Sequence, residues 1–200
     1  MNETRPESLP ILVAVTGASG ACYADAFLRR LRELGIPVHL VLSEPARAVC
    51  AHEGFPDLAS LADELFRNDD LFAPCASGTT RYRAMAVVPC SMGTLGRIAH
   101  GVSDSLIARA ADVFLKERRA PLVLVPRETP LGVIHLENMA TLARAGARIV
   151  PAMPSFYRKP STVAELVDGV VGKALEQCGV EHGLYPEWGE FRRSEASAGR

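Results

Sequence analysis

The sequence predicts a single α/β domain: a doubly wound, mostly parallel sheet with helices on both faces, flavodoxin-like or Rossmann-like. Three observations predict it. Short runs that are apolar on both faces recur along the chain, as strands buried between two helical layers do. Segments with apolar residues at spacings of three and four lie between those runs. The 200 residues, 48% of them hydrophobic, suffice for one well-buried domain and are short for two.

The elements follow in order. Residues 1–10 are expected to form a loose tail. "ILVAV" (11–15) reads as the first strand and ends in "TGASG" (16–20). Ala24, Phe27, Leu28, Leu31 and Leu34 then repeat at helical spacing, and Gly35 closes that helix. "VHLVL" (38–42) is the second strand, and Ser43 can cap the helix after it. Residues 54–83 look irregular, with a short helix over "LASLADELF" (58–66). "MAVVP" (85–89) is the third strand; one helix starts near Ser91 and another runs from about Ser103 to Lys116. "LVLVP" (122–126) is the fourth strand. A helix over roughly 136–145 leads to "RIVPA" (148–152), the fifth strand, and "VAELVDGVVGKALEQCG" (163–179) is a long last helix. The domain is expected to span 11–190, with a second tail over 191–200.

Composition narrows the function. A formal net charge of -1 gives no electrostatic case for nucleic acid or an anionic membrane. No apolar run approaches the roughly 20 residues of a membrane span. The polar start "MNETRPESLP" does not read as a secretory leader, so the expected location is the cytoplasm. Five cysteines (22, 50, 75, 90 and 178) without a C-x-x-C read as reduced structural thiols. The five histidines make no H-x-x-x-H pair, and Cys50 with His52 is too little for a metal site, so none is expected.

Ligands in such folds bind beyond the carboxyl ends of the strands. That rule selects "TGASG", "LSE", "PCSMGT", "VPRETP" and "PAMPSFY". A glycine turn opening a helix offers free N–H groups and the helix dipole to an anion, most often phosphate. The alternative for "TGASG" is a plain glycine turn with Ser19 as N-cap; it is neither G-x-G-x-x-G nor a P-loop. "PCSMGT" repeats the logic with Ser91, Gly93 and Thr94, and two such turns suggest one phosphate-bearing ligand, such as a mononucleotide. Arg109 and Lys116 share a helical face, where Asp112 completes an ordinary surface pair. Arg127 and Glu128 are delivered by a strand to the ligand edge, a cation for phosphate beside a carboxylate that can move a proton. Tyr157 is either a core or loop residue or a donor to phosphate.

"TGASGA", "PCSMGTL", "ARAADVFLKERRAPLVLVPRETPL", "HLENM", "PSFYRKP" and "PEWGE" together resemble the UbiX-type flavin prenyltransferases, from about residue 11 to 190. The resemblance implies reduced FMN bound as a substrate. It implies transfer of a dimethylallyl group from dimethylallyl monophosphate to flavin N5, then closure at C6. The prenylated FMN would serve a UbiD-type decarboxylase. Flavodoxin-like homododecamers with sites at subunit interfaces are also implied.

Carried over residue by residue, Gly17, Ala18 and Ser19 resemble the first flavin turn, Ser43 another flavin contact, and Ser91, Met92, Gly93 and Thr94 the second turn. Arg127 resembles the flavin-side arginine, and Tyr157 with Lys173 the pair that holds the prenyl phosphate. Arg109 and Lys116 match further basic residues of that pocket, against their surface reading. Glu128, Glu53 and Ser19 resemble the proton-handling set, and Trp188 a C-terminal tryptophan near the site. "NDDLF" offers only Asp69 and Asp70 for a Mg²⁺-binding motif, so the leaving phosphate falls to Arg109, Lys116, Arg127, Lys173 and Tyr157. Ser103, Ser105, Arg81 and Arg83 depart from the family pattern. The rival readings are an FMN-dependent cysteine decarboxylase and a non-catalytic flavin carrier.

Overall fold

Every residue of β1 (Ile11–Val15) is buried, because this strand lies at the middle of a sheet covered on both sides. The computed structural model describes residues 8–186. Beside β1 stand β2 (Val38–Leu42) and β4 (Ala84–Cys90), and beyond β4 lie β5 (Leu122–Pro126) and β6 (Arg148–Ile149). β3 (Glu64–Arg67) forms the other edge, giving the order β3-β2-β1-β4-β5-β6. Every neighbouring pair is parallel. With the short edge strand β3 set aside, the remaining five follow the flavodoxin order; with it, the Rossmann order.

Alternate residues of β1 serve opposite layers. Ile11, Val13 and Val15 pack with Phe27, Leu28 and Leu31 of α1 (Ala21–Glu33), Cys50 of α2 (Glu44–His52) and Val170, Val171 and Leu175 of α6 (Val163–Gln177). Leu12 and Ala14 pack with Leu95 of α3 (Met92–Ala99), Ile107 and Phe114 of α4 (Leu106–Glu117) and Leu142 of α5 (Val133–Ala145). Each fully buried Leu, Ile or Phe contributes about 1.5–3 kcal/mol, so the two layers are the dominant favourable term. No described helix is long and apolar enough to cross a membrane.

The structure corrects two expected elements. The helix over 58–66 is a 3-10 turn at Leu58–Leu61 followed by β3. β3 is mostly exposed on its outer edge, so it carries none of the apolar alternation that marks a strand, and its pairing with β2 decides its form. The described residues therefore form six strands rather than five. β6 stops at Ile149, although Val150 and Ala152 still donate to Leu124 and Pro126 of β5; Pro151 between them faces the open edge, where its missing N–H costs no bond.

β1, β2 and β3 build outward one way and β4, β5 and β6 the other. The reversal falls between β1 and β4, which opens a crevice at their carboxyl ends.

Candidate functional site

Thr16 stitches that crevice together. Its hydroxyl donates to the Pro89 carbonyl (2.8 Å) and accepts from the Ser91 N–H (2.7 Å), so the ends of β1 and β4 are locked to each other. The side chain is 1% exposed, and both of its bonding capacities are used. Thr16→Val keeps the shape and removes both bonds. It is expected to destabilise the protein by about 1–3 kcal/mol, because Ser91 N–H loses its partner away from water; urea denaturation measures this. Gly17 follows, and a Cβ there would sit 2.5 Å from the Pro45 Cβ of α2, so only glycine lets the first turn pack this close. Ala18 is nearly buried and turns back, its N–H donating to the Thr16 carbonyl (2.8 Å).

The start of α1 already holds an anion, and that anion belongs to the chain. The Glu53 carboxylate, just after α2, accepts from the Gly20 N–H (3.0 Å) and the Ala21 N–H (2.7 Å). The helix N-cap is Gly20, at φ 112°, rather than Ser19. Ser19 instead donates its hydroxyl to Glu53. Partial burial pushes the Glu53 carboxyl up, but bonds from Ser19, Ala21 and Gly20 and the charge of Arg127 outweigh it and hold the group below the ordinary glutamate range. A carboxylate that titrates lower when folded stabilises fully above its unfolded pKa, and that contribution disappears as acid carries it through the depressed value. The midpoint of thermal unfolding should therefore fall on acidification through and below the ordinary glutamate range, and Glu53→Gln should flatten that fall.

The second turn opens α3. Ser91 is its N-cap, accepting from the Thr94 N–H (3.3 Å) and donating to the Thr94 hydroxyl (3.1 Å). Ser43 caps α2 as expected from sequence, accepting from the Ala46 N–H (3.2 Å). Gly17, Ser43, Ser91 and Thr94 come together on one cleft of about 280 Å³. Met92 is buried and Gly93 is exposed in the same turn, and neither lines this cleft. Pro45, Asn68, Arg97, Asp104, Ser105 and Ile107 complete the wall; of these the sequence reading names only Ser105, as a departure from the family pattern. Arg97 pairs with Asp104 (3.3 Å), and Asn68 caps α4 by accepting from the Ile107 N–H (3.1 Å). The signal for Asn68 is visible only in three dimensions, since it follows the missed strand β3.

Arg127 leaves β5 beside these turns: its charge acts on Glu53, and its Cγ lies 4.0 Å from where a Gly20 Cβ would be. Its Nε is buried and has no hydrogen-bond partner among the described residues. Buried donors are nearly always paired, so this atom has a bond to offer a ligand acceptor. Glu128, next along the chain, is exposed and lines neither this cleft nor the one under the chain after α6; its carboxylate accepts from the Thr129 N–H (3.0 Å).

The basic residues divide. Tyr157 and Lys173 line a second, larger cleft of about 940 Å³ under the chain that follows α6. Arg109 and Lys116 line neither cleft; both pair with Asp112 on α4, at 3.0 and 3.5 Å, and Arg109 also donates to the Ala76 carbonyl (3.1 Å). Trp188 lies outside the described residues. Among the described residues no group of three or more His, Cys, Asp or Glu is placed to hold a metal, and all five cysteines are free.

The Flavoprotein family model matches residues 1–175. The flavin prenyltransferase UbiX of Halalkalibacterium halodurans is 48% identical over 193 residues, covering 90% of this chain and 93% of that protein. The chain belongs to the UbiX flavin prenyltransferase family. It is thereby an enzyme, a prenyltransferase acting on flavin. A UbiX crystal structure in complex with FMN and dimethylallyl pyrophosphate is 44% identical with a TM-score of 0.86, covering 90% of this chain and 97% of that one. A dodecameric, FMN-dependent UbiX-like decarboxylase from Escherichia coli O157:H7 is 45% identical, also with a TM-score of 0.86, over 90% and 99% of the two chains.

Proposed function

We propose that this protein moves a dimethylallyl group from dimethylallyl monophosphate to N5 and then C6 of reduced FMN. It needs no metal, and it releases prenylated FMN to a UbiD-type decarboxylase. The observation that carries the reading is the meeting of Arg127, with its buried and unpartnered Nε, and the Ser19–Glu53 pair at the crevice between β1 and β4. Both glycine turns open onto that crevice.

Each residue has a role in this reading. Gly17, Ala18 and Ser19 form the close-packed floor on the flavin. Ser43, Ser91 and Thr94 line the cleft that holds the flavin's polar edges and phosphate, with Met92 and Gly93 in the same turn. Arg127 donates to the flavin from the third side. The reduced flavin is itself the nucleophile, so no cysteine or serine nucleophile is required. Tyr157 and Lys173 take the donor phosphate and neutralise it as the allylic C–O bond breaks, work of the kind worth about 10²–10³ in rate per donor. Arg109 and Lys116 add charge from a neighbouring copy, since neither lines the donor cleft of its own chain. The dodecameric Escherichia coli relative supports such an assembly. Closure at C6 is proton-neutral: the prenyl double bond gains a proton, its cationic carbon bonds to C6, and C6 releases the ring proton. Glu128 accepts it, with Ser19 as relay, while Glu53 stays charged and holds Ser19 and Arg127 in place. Five free cysteines suit the reducing cytoplasm.

The test of the full reading is a coupled assay. A UbiD-type decarboxylase purified without its cofactor should gain activity after incubation with this protein, reduced FMN and dimethylallyl monophosphate. No gain, or decarboxylation by this protein alone, would count against it and favour the decarboxylase designation of the Escherichia coli relative.

A further inference from the structure

Resting on that reading of Tyr157 and Lys173, we propose that Glu176 and Tyr185 are positioning residues for the donor phosphate, fixing the Lys173 ammonium through one shared carboxylate. Lys173 and Glu176 stand one turn apart at the end of α6, and the ammonium donates to Glu176 Oε2. The other oxygen, Oε1, accepts from the Tyr185 hydroxyl (2.9 Å) and from His182 Nε2 (3.3 Å). The Leu184 N–H donates to His182 Nδ1 (2.9 Å), so Nε2 carries the hydrogen and faces Glu176 as a donor. The carboxylate is therefore held at one oxygen and offers the other to Lys173.

The chain after α6 is built to bring Tyr185 and His182 there. Residues 180–186 fold back over the helix, and Arg30 of α1 donates to the His182 carbonyl through Nε (2.7 Å). Gly172 makes the approach possible: a Cβ there would lie 2.3 Å from Tyr185 Cε1 and 2.8 Å from His182 Cε1. Arg158 then stacks on the Tyr185 ring at 3.6 Å and lies 5.3 Å from the Tyr157 ring. One network thus runs from Tyr157 through Arg158, Tyr185 and Glu176 to Lys173, and all of these but Arg158 line a single cleft.

Stability alone does not account for it. The Lys173 and Glu176 side chains are 55% and 36% exposed, and an ion pair this open adds little to folding. What the arrangement does supply is a lysine held in one geometry, so less freedom is lost when a phosphate arrives.

The experiment measures binding and kinetics together on the full-length, FMN-loaded protein. Dimethylallyl monophosphate is titrated calorimetrically, and kcat and KM are measured for both substrates. Glu176→Ala should raise the donor Kd and KM about ten-fold, a coupling typical of one hydrogen-bond network. Its kcat and its KM for reduced FMN should stay within about two-fold. Tyr185→Phe, which keeps the ring on Arg158 and removes the hydroxyl, should show a smaller change of the same kind. Glu176→Gln, which keeps the acceptor for Tyr185, should recover part of the loss. Unchanged donor affinity in Glu176→Ala and Tyr185→Phe, in an enzyme whose wild type makes prenylated FMN, overturns the positioning role alone. So does a parallel loss of thermal stability and of reduced-FMN affinity. A wild type that does not bind the donor overturns this role and the proposed function together.

Discussion

Glu53→Ala should lower prenylation turnover on the order of a hundred-fold or more, the scale on which a charged group that organises an active site acts. The carboxylate does three things at once. It accepts the Gly20 and Ala21 N–H groups at the start of α1, it takes the Ser19 hydroxyl, and it faces the charge of Arg127. Truncation leaves two helix-terminal donors to water, frees Ser19 to rotate, and leaves Arg127 without its neighbouring anion. Glu53→Gln should be milder, because an amide oxygen still accepts one N–H while the charge is lost. The comparison of Ala with Gln in single-turnover flavin assays, with thermal midpoints measured alongside, separates the hydrogen-bonding part from the electrostatic part. Equal turnover in the wild type and both variants would remove Glu53 from the site.

Glu128→Gln is expected to leave folding and FMN binding intact and to slow ring closure by about 10²–10⁴, the usual contribution of a positioned base. Folding is spared because Glu128 is exposed and its bond from the Thr129 N–H can be kept by the amide oxygen. Quenched samples analysed by mass and absorbance should then show flavin that has gained the C5 group without the fourth ring. Ring closure at the wild-type rate would move the proton to another acceptor, with Glu53 through Ser19 the next candidate in the geometry.

The strands that matter for the site were legible because burial on both faces leaves a continuous apolar run: β1, β2, β4 and β5 follow the expected segments closely. β3 was missed because an exposed edge strand imposes no such pattern on its sequence. The Ser43 and Ser91 caps were readable, since a cap and its target lie three residues apart. The Glu53 cap was not, because its N–H partners lie 32 and 33 residues away and no local spacing encodes them. The anion expected at the first turn from its free N–H groups is thus a side chain of the protein itself. Asp112 beside Arg109 and Lys116 was also a local reading, and in one chain that pairing holds. Their proposed role at the donor cleft needs a second copy, which no single sequence spacing could display.

The measurement that bears most directly on the central claim is a mass spectrum of flavin released after anaerobic incubation of the protein with reduced FMN and dimethylallyl monophosphate, with a chelator present. A gain of one C5H8 unit is the predicted result, and it establishes the donor, the acceptor and the metal independence at once. Unchanged FMN, with flavin binding intact and with added Mg²⁺ making no difference, would contradict the account.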